Sequence, residues 1–318
     1  MTSAAAAGPA NRWPWAAAMM ATAVTCALAG CMTQAPAGRT PSAESTLPPD
    51  AATWLLTRAA LAQLSTDPVV RAGLQRSPVE EILQPGQAPL PGLAATIVVA
   101  FPAAAALEAA LAGHRLPAGT RAVLYDPEVW SFTPAAEQRD PVRAASTAAA
   151  LAHAHGLQLI VAPALNLTTV LAPGSSAPRW QRFLDLQLAA RIARITDVLD
   201  LQAQSLERSS ASYANFVREA ATQARSANPG VTVLAGLSAN PPGPAVDSQQ
   251  LTSAILASWP AVDGYWLNLP GRGPQCPTCN PARPAVGIGA LRAVIQRGLP
   301  SHGRRHPAPG SELAARRH

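Results

Sequence analysis

Two carboxylates stand two residues apart in the segment YDPEVW, residues 125–130, directly after a short apolar run. Paired carboxyl groups can divide the acid and base roles when their surroundings separate their pKa values. Trp130 follows them and offers an aromatic face on which a sugar or a peptide can pack. The segment therefore predicts an acid–base site with Asp126 and Glu128 as catalytic groups and Trp130 as a binding residue. Carboxylates that only cap turns are the alternative.

A second polar series lies in the segment TDVLDLQAQSLE, residues 196–207. In a strand the side chains alternate, so Asp200, Gln202 and Gln204 face one side and the residues between them face the other. Three polar side chains on one face of a buried strand are costly unless they are paired or line a wet cavity. We therefore predict that these three residues line a binding site.

Amide and aromatic residues follow three other apolar runs, namely Asn166, Asn240, Trp266 and Asn268. Aromatic rings pack on sugar faces and amides bind hydroxyl groups, so this set fits a carbohydrate better than a phosphate or a metal. Turn formation by the Asn residues and core packing by Trp266 are the alternatives. No cofactor and no metal are predicted, because the sequence has no glycine-rich phosphate loop after its first strand and no H-E-x-x-H motif.

Short apolar runs alternate with Ala-rich helical runs from residue 93 onward. The predicted strands cover residues 95–101, 121–126, 157–163, 198–204, 231–238 and 263–269. This alternation predicts an α/β fold with a parallel sheet and helical crossovers. Because the polar residues gather after several different strands, we expect a parallel β/α barrel (TIM-like), incomplete at six visible units. An open doubly wound sheet is the alternative.

The spacing D-x-x-D-x-Q-x-Q over residues 197–204 resembles the D-x-x-D-x-D-x-E signature of family 18 glycoside hydrolases, the chitinases. The resemblance implies a β/α barrel with this signature on its fourth strand, and the segment is also the fourth of the six predicted strands. In that family the last Glu protonates the glycosidic oxygen and the preceding Asp orients the acetamido group. Gln204 and Gln202 stand at these positions here, and an amide cannot donate a proton as a carboxylic acid does. The resemblance therefore implies glycan binding, with any acid supplied by another residue.

The N-terminal region carries an apolar stretch, AAAMMATAVTCALAGC, which begins shortly after Arg12. Its last four residues, LAGC, resemble the bacterial lipoprotein signal, in which the Cys becomes the lipidated first residue of the mature protein. We predict a lipoprotein signal peptide over residues 1–30, a lipid anchor on Cys31 and a Pro/Ser/Thr-rich tether over residues 31–50. An ordinary secretory signal cut nearby is the alternative. Both place the mature chain outside the cytoplasm, and the first places it on a membrane.

Charge and cysteine content limit the other partners. Every cation is Arg and the net charge is +6, but residues 301–318 hold four Arg against one Glu. About half of the excess therefore lies in a predicted disordered tail, and no nucleic-acid partner is expected. Cys276 and Cys279 form a C-x-x-C with no second pair to complete a zinc site, so we predict a local disulfide.

These features divide the chain into the signal, the tether, a helical N-terminal extension over residues 51–92, a barrel domain over residues 93–298 and a basic tail over residues 299–318. Three functions remain open. The first is a glycoside-hydrolase-like barrel that acts on an extracellular or cell-wall polysaccharide. The second is a barrel that binds glycans without cleaving them. The third is a structural or partner-binding lipoprotein of the cell envelope.

Overall fold

The computed structural model describes residues 51–241, 243–272 and 281–299 of the chain. The predicted signal peptide, the tether, Cys31, the pair Cys276 and Cys279, and the basic tail apart from Leu299 lie outside these residues. None of the helices in the described ranges is long and apolar enough to cross a membrane.

Eight strands of the described chain form a closed parallel barrel, and each strand pairs with the next in chain order. Closure occurs where Leu55 of the first strand registers with Trp266 of the last. The fold is therefore a complete β/α barrel, so the predicted barrel is confirmed, and its suggested incompleteness and the open sheet are wrong. The strands are β1 Thr53–Thr57, β2 Val79–Leu83, β3 Thr96–Phe101, β4 Thr120–Tyr125, β5 Gln158–Val161, β6 Val198–Leu201, β7 Thr232–Ser238 and β8 Gly264–Asn268.

Helices connect the strands and cover the outside of the barrel. Short 3-10 helices at Leu165–Leu167 and Trp259–Ala261 supplement them. The α-helices are α1 Arg58–Leu64, α2 Pro68–Leu74, α3 Ala104–Ala112, α4 Ala135–Arg139, α5 Pro141–Ala154, α6 Thr168–Leu171, α7 Arg179–Asp185, α8 Leu188–Ala193, α9 Ser210–Ala227, α10 Ser248–Ser258 and α11 Pro284–Arg297.

The helical N-terminal extension predicted over residues 51–92 is wrong, because that segment supplies β1 and β2 as well as two helices. No loop separates β1 from α1: Thr57 ends the strand and its side chain caps the helix by accepting from the amide of Ala60. The apolar pattern therefore runs from strand into helix without a break. Strand β2 has the sequence VEEIL, in which two adjacent carboxylates obscure the alternation.

The barrel interior is an apolar cluster that is separate from the larger core between the sheet and the helices. Its buried members are Leu55, Ile82, Val98, Ala122, Leu124, Ile160, Ala162, Val198, Leu234 and Trp266. These positions fix which residues point inward, because side chains on a strand alternate between the two faces. Asp200 follows Val198 by two residues, and Gly236 follows Leu234 by two, so both face the interior near the C-terminal end of the barrel.

A carboxyl group also lies inside the barrel near its N-terminal end. Glu80 stands two residues before Ile82 and shares its inward face. One carboxyl oxygen, Oε2, is buried without a hydrogen-bond partner among the described residues. Burial raises the pKa of Glu80 from 4.5 to about 7, because removal from water disfavours the charged form.

The raised pKa of Glu80 predicts a fold that is more stable in acid. The folded-state pKa lies above the unfolded value of 4.5, so this stability is fully present below pH 4.5 and is lost as the pH rises through about 7. Glu80→Gln cannot ionise and should gain about 2 kcal/mol over the wild type at pH 8, with a much smaller difference at pH 4.5. Urea unfolding at both pH values measures this.

The control is Glu219→Gln on the exposed face of α9, which should leave the pH dependence unchanged. An equal response of the two variants at pH 8 would contradict the assignment of the pH dependence to Glu80.

Candidate functional site

The C-terminal ends of the strands surround one opening, which we call the mouth of the barrel. Active sites of β/α barrels lie at this end. Asp126 directly follows β4, and Gln202 directly follows β6. The amide nitrogen Nε2 of Gln202 donates to Oδ1 of Asp126 at 2.5 Å and to the carbonyl oxygen of Ala162 at 3.1 Å. One side chain thus joins the ends of β4, β5 and β6.

Asp200 lies one inward step below Gln202 and is completely buried. Neither of its carboxyl oxygens has a hydrogen-bond partner among the described residues. Burial raises the pKa of Asp200 well above its usual range. Burial without a hydrogen-bond partner thus disfavours the ionised form of this carboxyl group.

Asp126 is half-buried and has an even more crowded electrostatic environment. Its pKa is raised well above the usual range by burial first, and then by the negative charges of Glu128 and Asp200. The hydrogen bond from Gln202 opposes this rise. Asp126 therefore holds a proton strongly at the rim of the mouth, as a general acid must.

Glu128 differs from Asp126 in what raises its pKa. Burial raises the pKa of Glu128, no neighbouring carboxylate adds to the rise, and the side chain of Asn166 opposes it by favouring the charged form. Asn166 lies in the 3-10 helix after β5, and its Oδ1 accepts from the amide of Val129 at 3.0 Å. The predicted residues Asp126, Glu128, Asn166, Asp200 and Gln202 are thus brought together in one polar cluster.

Thr133 holds the loop that carries Glu128, and the sequence analysis did not identify it. Its Oγ1 accepts from Trp130 Nε1 at 2.7 Å and from the amide of Glu128 at 3.3 Å, and it donates to the carbonyl of Pro102 at 2.8 Å. Trp130 also packs edge-on against Phe132 at 5.1 Å. Trp130 is therefore tied into its own loop by both its nitrogen and its ring.

Gln204 lies over β7 because that strand has a glycine at the contact. A Cβ on Gly236 would lie 2.8 Å from Gln204 Nε2 and 3.3 Å from the Cα of Gln202. Since Gly236 faces the barrel interior, the Gln204 amide lies inside the mouth. The sequence analysis missed Gly236, although a lone Gly within a predicted strand signals the close approach of another group.

Glu207 holds the loop after β6. It is fully buried, and its Oε1 accepts from the amide of Ser238 at 3.0 Å. Burial raises its pKa to about 7, while backbone hydrogen bonds and the charge of Arg208 oppose the rise. Glu207 thus fastens the loop to the end of β7.

Three further predicted binding residues follow β7 or lie on β8. Asn240 is buried and its amide nitrogen donates to the carbonyl of Pro270, so it ties two loops together. Asn268 is half-buried at the end of β8, and its carbonyl accepts from Ala239. Trp266 is only 6% exposed within the interior cluster, so the prediction of an aromatic surface for sugar stacking at this position is wrong. Its Nε1 has no hydrogen-bond partner among the described residues.

The position of the D-x-x-D-x-Q-x-Q segment corrects the expectation drawn from chitinases. The segment lies on the sixth strand of the barrel and not the fourth, since the count of six strands omitted β1 and β2. Its first residue, Asp197, precedes the strand and accepts from the amide of Leu159 at 2.7 Å and pairs with His153 at 2.9 Å. Asp197 therefore belongs to the opposite end of the barrel from Gln204.

Comparison with known proteins adds no assignment beyond the β/α barrel fold. No protein-family model and no curated protein matches the sequence. A triosephosphate isomerase from Bartonella henselae aligns over 78% of this chain and 99% of its own, at a TM-score of 0.43 and 9% identity. A chitinase from Chromobacterium violaceum aligns over 78% and 98%, at 0.43 and 13% identity. A hydroxymethylglutaryl-CoA lyase from Pseudomonas aeruginosa aligns over 85% and 99%, at 0.46 and 14% identity.

These neighbours are an isomerase, a chitinase and a lyase, so the likeness does not select a reaction. Among the described residues, no group of three His, Cys, Asp or Glu side chains is arranged to hold a metal ion. The chemistry of the site is therefore read from its carboxyl and amide groups.

The three hydrogen bonds of Thr133 predict that it stabilises the loop. Thr133→Val keeps the shape of the side chain but leaves the Trp130 and Glu128 donors without their acceptor. We expect the free energy of unfolding to fall by about 1–3 kcal/mol and the amide of Glu128 to exchange hydrogen faster. Urea unfolding and amide hydrogen exchange measure the two effects.

Thr147→Val on the exposed face of α5 is the matched control, because its hydroxyl only donates to the carbonyl of Arg143. Its effect should stay within about 0.5 kcal/mol. If Thr133→Val were equally mild, the loop would not depend on this hydroxyl.

Proposed function

We propose that the barrel hydrolyses glycosidic bonds of an extracellular or cell-wall polysaccharide, with Asp126 as the proton donor and Glu128 as the second carboxylate. The observation that carries the proposal is the polar cluster at the mouth, where carboxyl groups are held close together without a salt bridge to any cation among the described residues. Such a cluster is unfavourable for folding, and natural proteins retain unfavourable local arrangements where function requires them.

The two carboxyl groups differ in the way that acid and base catalysis requires. Asp126 is surrounded by other carboxyl groups, which favours its protonated form. The pKa of Glu128 is raised by burial without a neighbouring carboxylate, and the side chain of Asn166 favours its ionised form. A protonated acid can transfer its proton to the glycosidic oxygen while an ionised carboxylate activates water or stabilises the developing positive charge on the sugar.

Glycan binding without cleavage is the second candidate function. It is favoured by the amides of Gln202 and Gln204, which stand where the chitinase signature has its two acids. Amides bind sugar hydroxyl groups but cannot act as proton donors. The two functions share the site and differ only in whether Asp126 and Glu128 complete a reaction.

The proposed location is the outer side of a bacterial membrane, with a lipid on Cys31. The support is the apolar stretch ending in LAGC and the polar, Pro-rich segment that follows it. A tether of about 20 residues would hold the barrel away from the lipid surface and leave its mouth accessible to a polymeric substrate.

The reaction is tested with Asp126→Asn and Glu128→Gln on a panel of plant, fungal and bacterial polysaccharides, with release of reducing sugar as the measurement. Each change should lower turnover by about 100-fold or more while leaving the protein folded. Wild-type activity should decline with rising pH as Asp126 loses its proton, and the raised pKa moves this decline to a higher pH than an ordinary Asp would show.

Glu219→Gln serves as the control and should retain full activity, since this residue is exposed on α9. Retention of a glycan by the wild type without any release of reducing sugar would support the binding function and refute hydrolysis.

The location is tested by Cys31→Ser, which removes the sulfur that carries the lipid. We expect the variant to leave the membrane fraction and to accumulate as a larger precursor on a gel. Cys26→Ser, inside the predicted signal peptide, should change neither property. Unchanged membrane association of Cys31→Ser would refute the anchor.

A further inference from the structure

We propose that Gln204, seated on Gly236 of β7, recognises the hydroxyl groups of an uncharged sugar ring and that the mouth rejects acidic glycans. The inference extends the proposed function by naming the class of sugar and the part of the mouth that binds it. It rests on the proposal that a glycan binds at the mouth, but it does not require that the glycan be cleaved.

The Gln204 side chain can occupy its position only because Gly236 has no Cβ; we call this contact the seat of Gln204. The nearest atoms that an added Cβ would meet are Nε2 and Cδ of Gln204, at 2.8 and 3.1 Å. Any other residue at this inward position would displace the amide from the wall of the mouth. Gly236 also registers with Trp266 on β8, so the seat lies between the loop after β6 and the last strand of the barrel.

Gln204 has side-chain donor and acceptor atoms that are available to a ligand. The side-chain amide of Gln204 is only half-buried and makes no hydrogen bond to the part of the chain that the structure describes. In the same region the indole nitrogen of Trp266 and both carboxyl oxygens of Asp200 are buried without a hydrogen-bond partner among the described residues. Polar groups in folded proteins are normally satisfied, and the Gln204 amide is the accessible member of this set, so it is the group whose hydrogen bonding a polar ligand can complete.

The charges around the mouth exclude acidic ligands. Asp126, Glu128 and Asp200 lie close enough for the charges of Glu128 and Asp200 to raise the pKa of Asp126. None of the salt bridges among the described residues involves these three groups. Arg208, which follows the same loop, donates to the carbonyl of Pro244 at 2.9 Å. A uronic acid or a sulfated sugar would therefore bring its charge next to Glu128 and would further disfavour ionisation of Asp126 and Asp200.

The same charges explain why an amide suits position 204. A glutamate there would add a further carboxylate to the cluster, which already favours the protonated state of its members. A glutamine has nearly the same size, and it presents both a donor and an acceptor to a sugar hydroxyl group. An uncharged, hydroxyl-rich ring thus matches the wall in both hydrogen bonding and charge.

The test compares four probes by isothermal titration calorimetry on the full chain: cellohexaose, xylohexaose and hexa-N-acetylchitohexaose, which are uncharged, and hexagalacturonic acid. We expect at least one uncharged probe to bind and hexagalacturonic acid to bind at least about tenfold more weakly. Gln204→Ala should weaken the binding of the uncharged probe by about five- to tenfold, because the amide contributes one or two hydrogen bonds. Chromatography after each titration shows whether the probe was cleaved.

Gly236→Ala is the second variant and should weaken the same binding by displacing the amide, with a small change in melting temperature. Its matched control is Gly174→Ala, where an added Cβ meets no atom within 4 Å. If Gly236→Ala fails to fold, Gln204→Ala alone decides the question.

Three results would overturn the inference: binding of no uncharged probe, equal binding of hexagalacturonic acid, or wild-type affinity in Gln204→Ala. Binding of an uncharged probe without its cleavage would refute hydrolysis and leave this inference intact. If Gln204→Ala binds and cleaves the probe as the wild type does, hydrolysis would be supported and this inference would be refuted.

Discussion

The side chain of Gln202 makes the interaction on which the rest of the candidate site depends. Its amide nitrogen bonds both Asp126 and the carbonyl of Ala162, and so it fixes the carboxyl group of one strand against the ends of the next two. This bond is possible because β4 pairs with β5 and β5 pairs with β6 in parallel register. Strand pairing thus brings residues that are 76 positions apart in the chain into direct contact.

Burial of carboxyl groups without cations has opposite effects on stability and on reactivity. In Asp126, Asp200 and Glu207 burial disfavours the charged form and raises the pKa. The fold therefore loses stability when these groups ionise, yet the same shift favours the protonated form that a general acid needs. Glu207 has the most backbone hydrogen bonds of the three and works as a fastener, whereas Asp126 stands at the rim with a single amide. Local hydrogen bonding, rather than burial alone, separates a structural carboxyl group from a reactive one.

The sequence predicted the barrel from six of its strands, and each of those strands is present with its boundaries moved by three residues at most. The first two were missed for physical reasons: β1 runs into α1 without a loop, and β2 carries Glu80 into the barrel interior. Asp126, Asp200 and Gln202 were predicted as site residues because their spacing after apolar runs is visible in one dimension. Thr133 and the contact of Gln204 with Gly236 were not predicted from the sequence. The role of a hydroxyl group or of a missing side chain depends on which strands and loops are neighbours, and the sequence alone does not show this.

Gly236 and Gln204 are best understood as one feature, since neither residue is explained alone. Glycine weakens a strand by leaving it without a side chain to pack, so its presence at an inward position of β7 needs a reason. The reason is that the half-exposed amide of Gln204 occupies the space next to Gly236 that a side chain would otherwise fill. An amide avoids adding charge to the carboxyl cluster, and the glycine keeps it within reach of the mouth. The pair therefore adds hydrogen-bonding capacity to an acidic site without raising its charge, as recognition of an uncharged ligand requires.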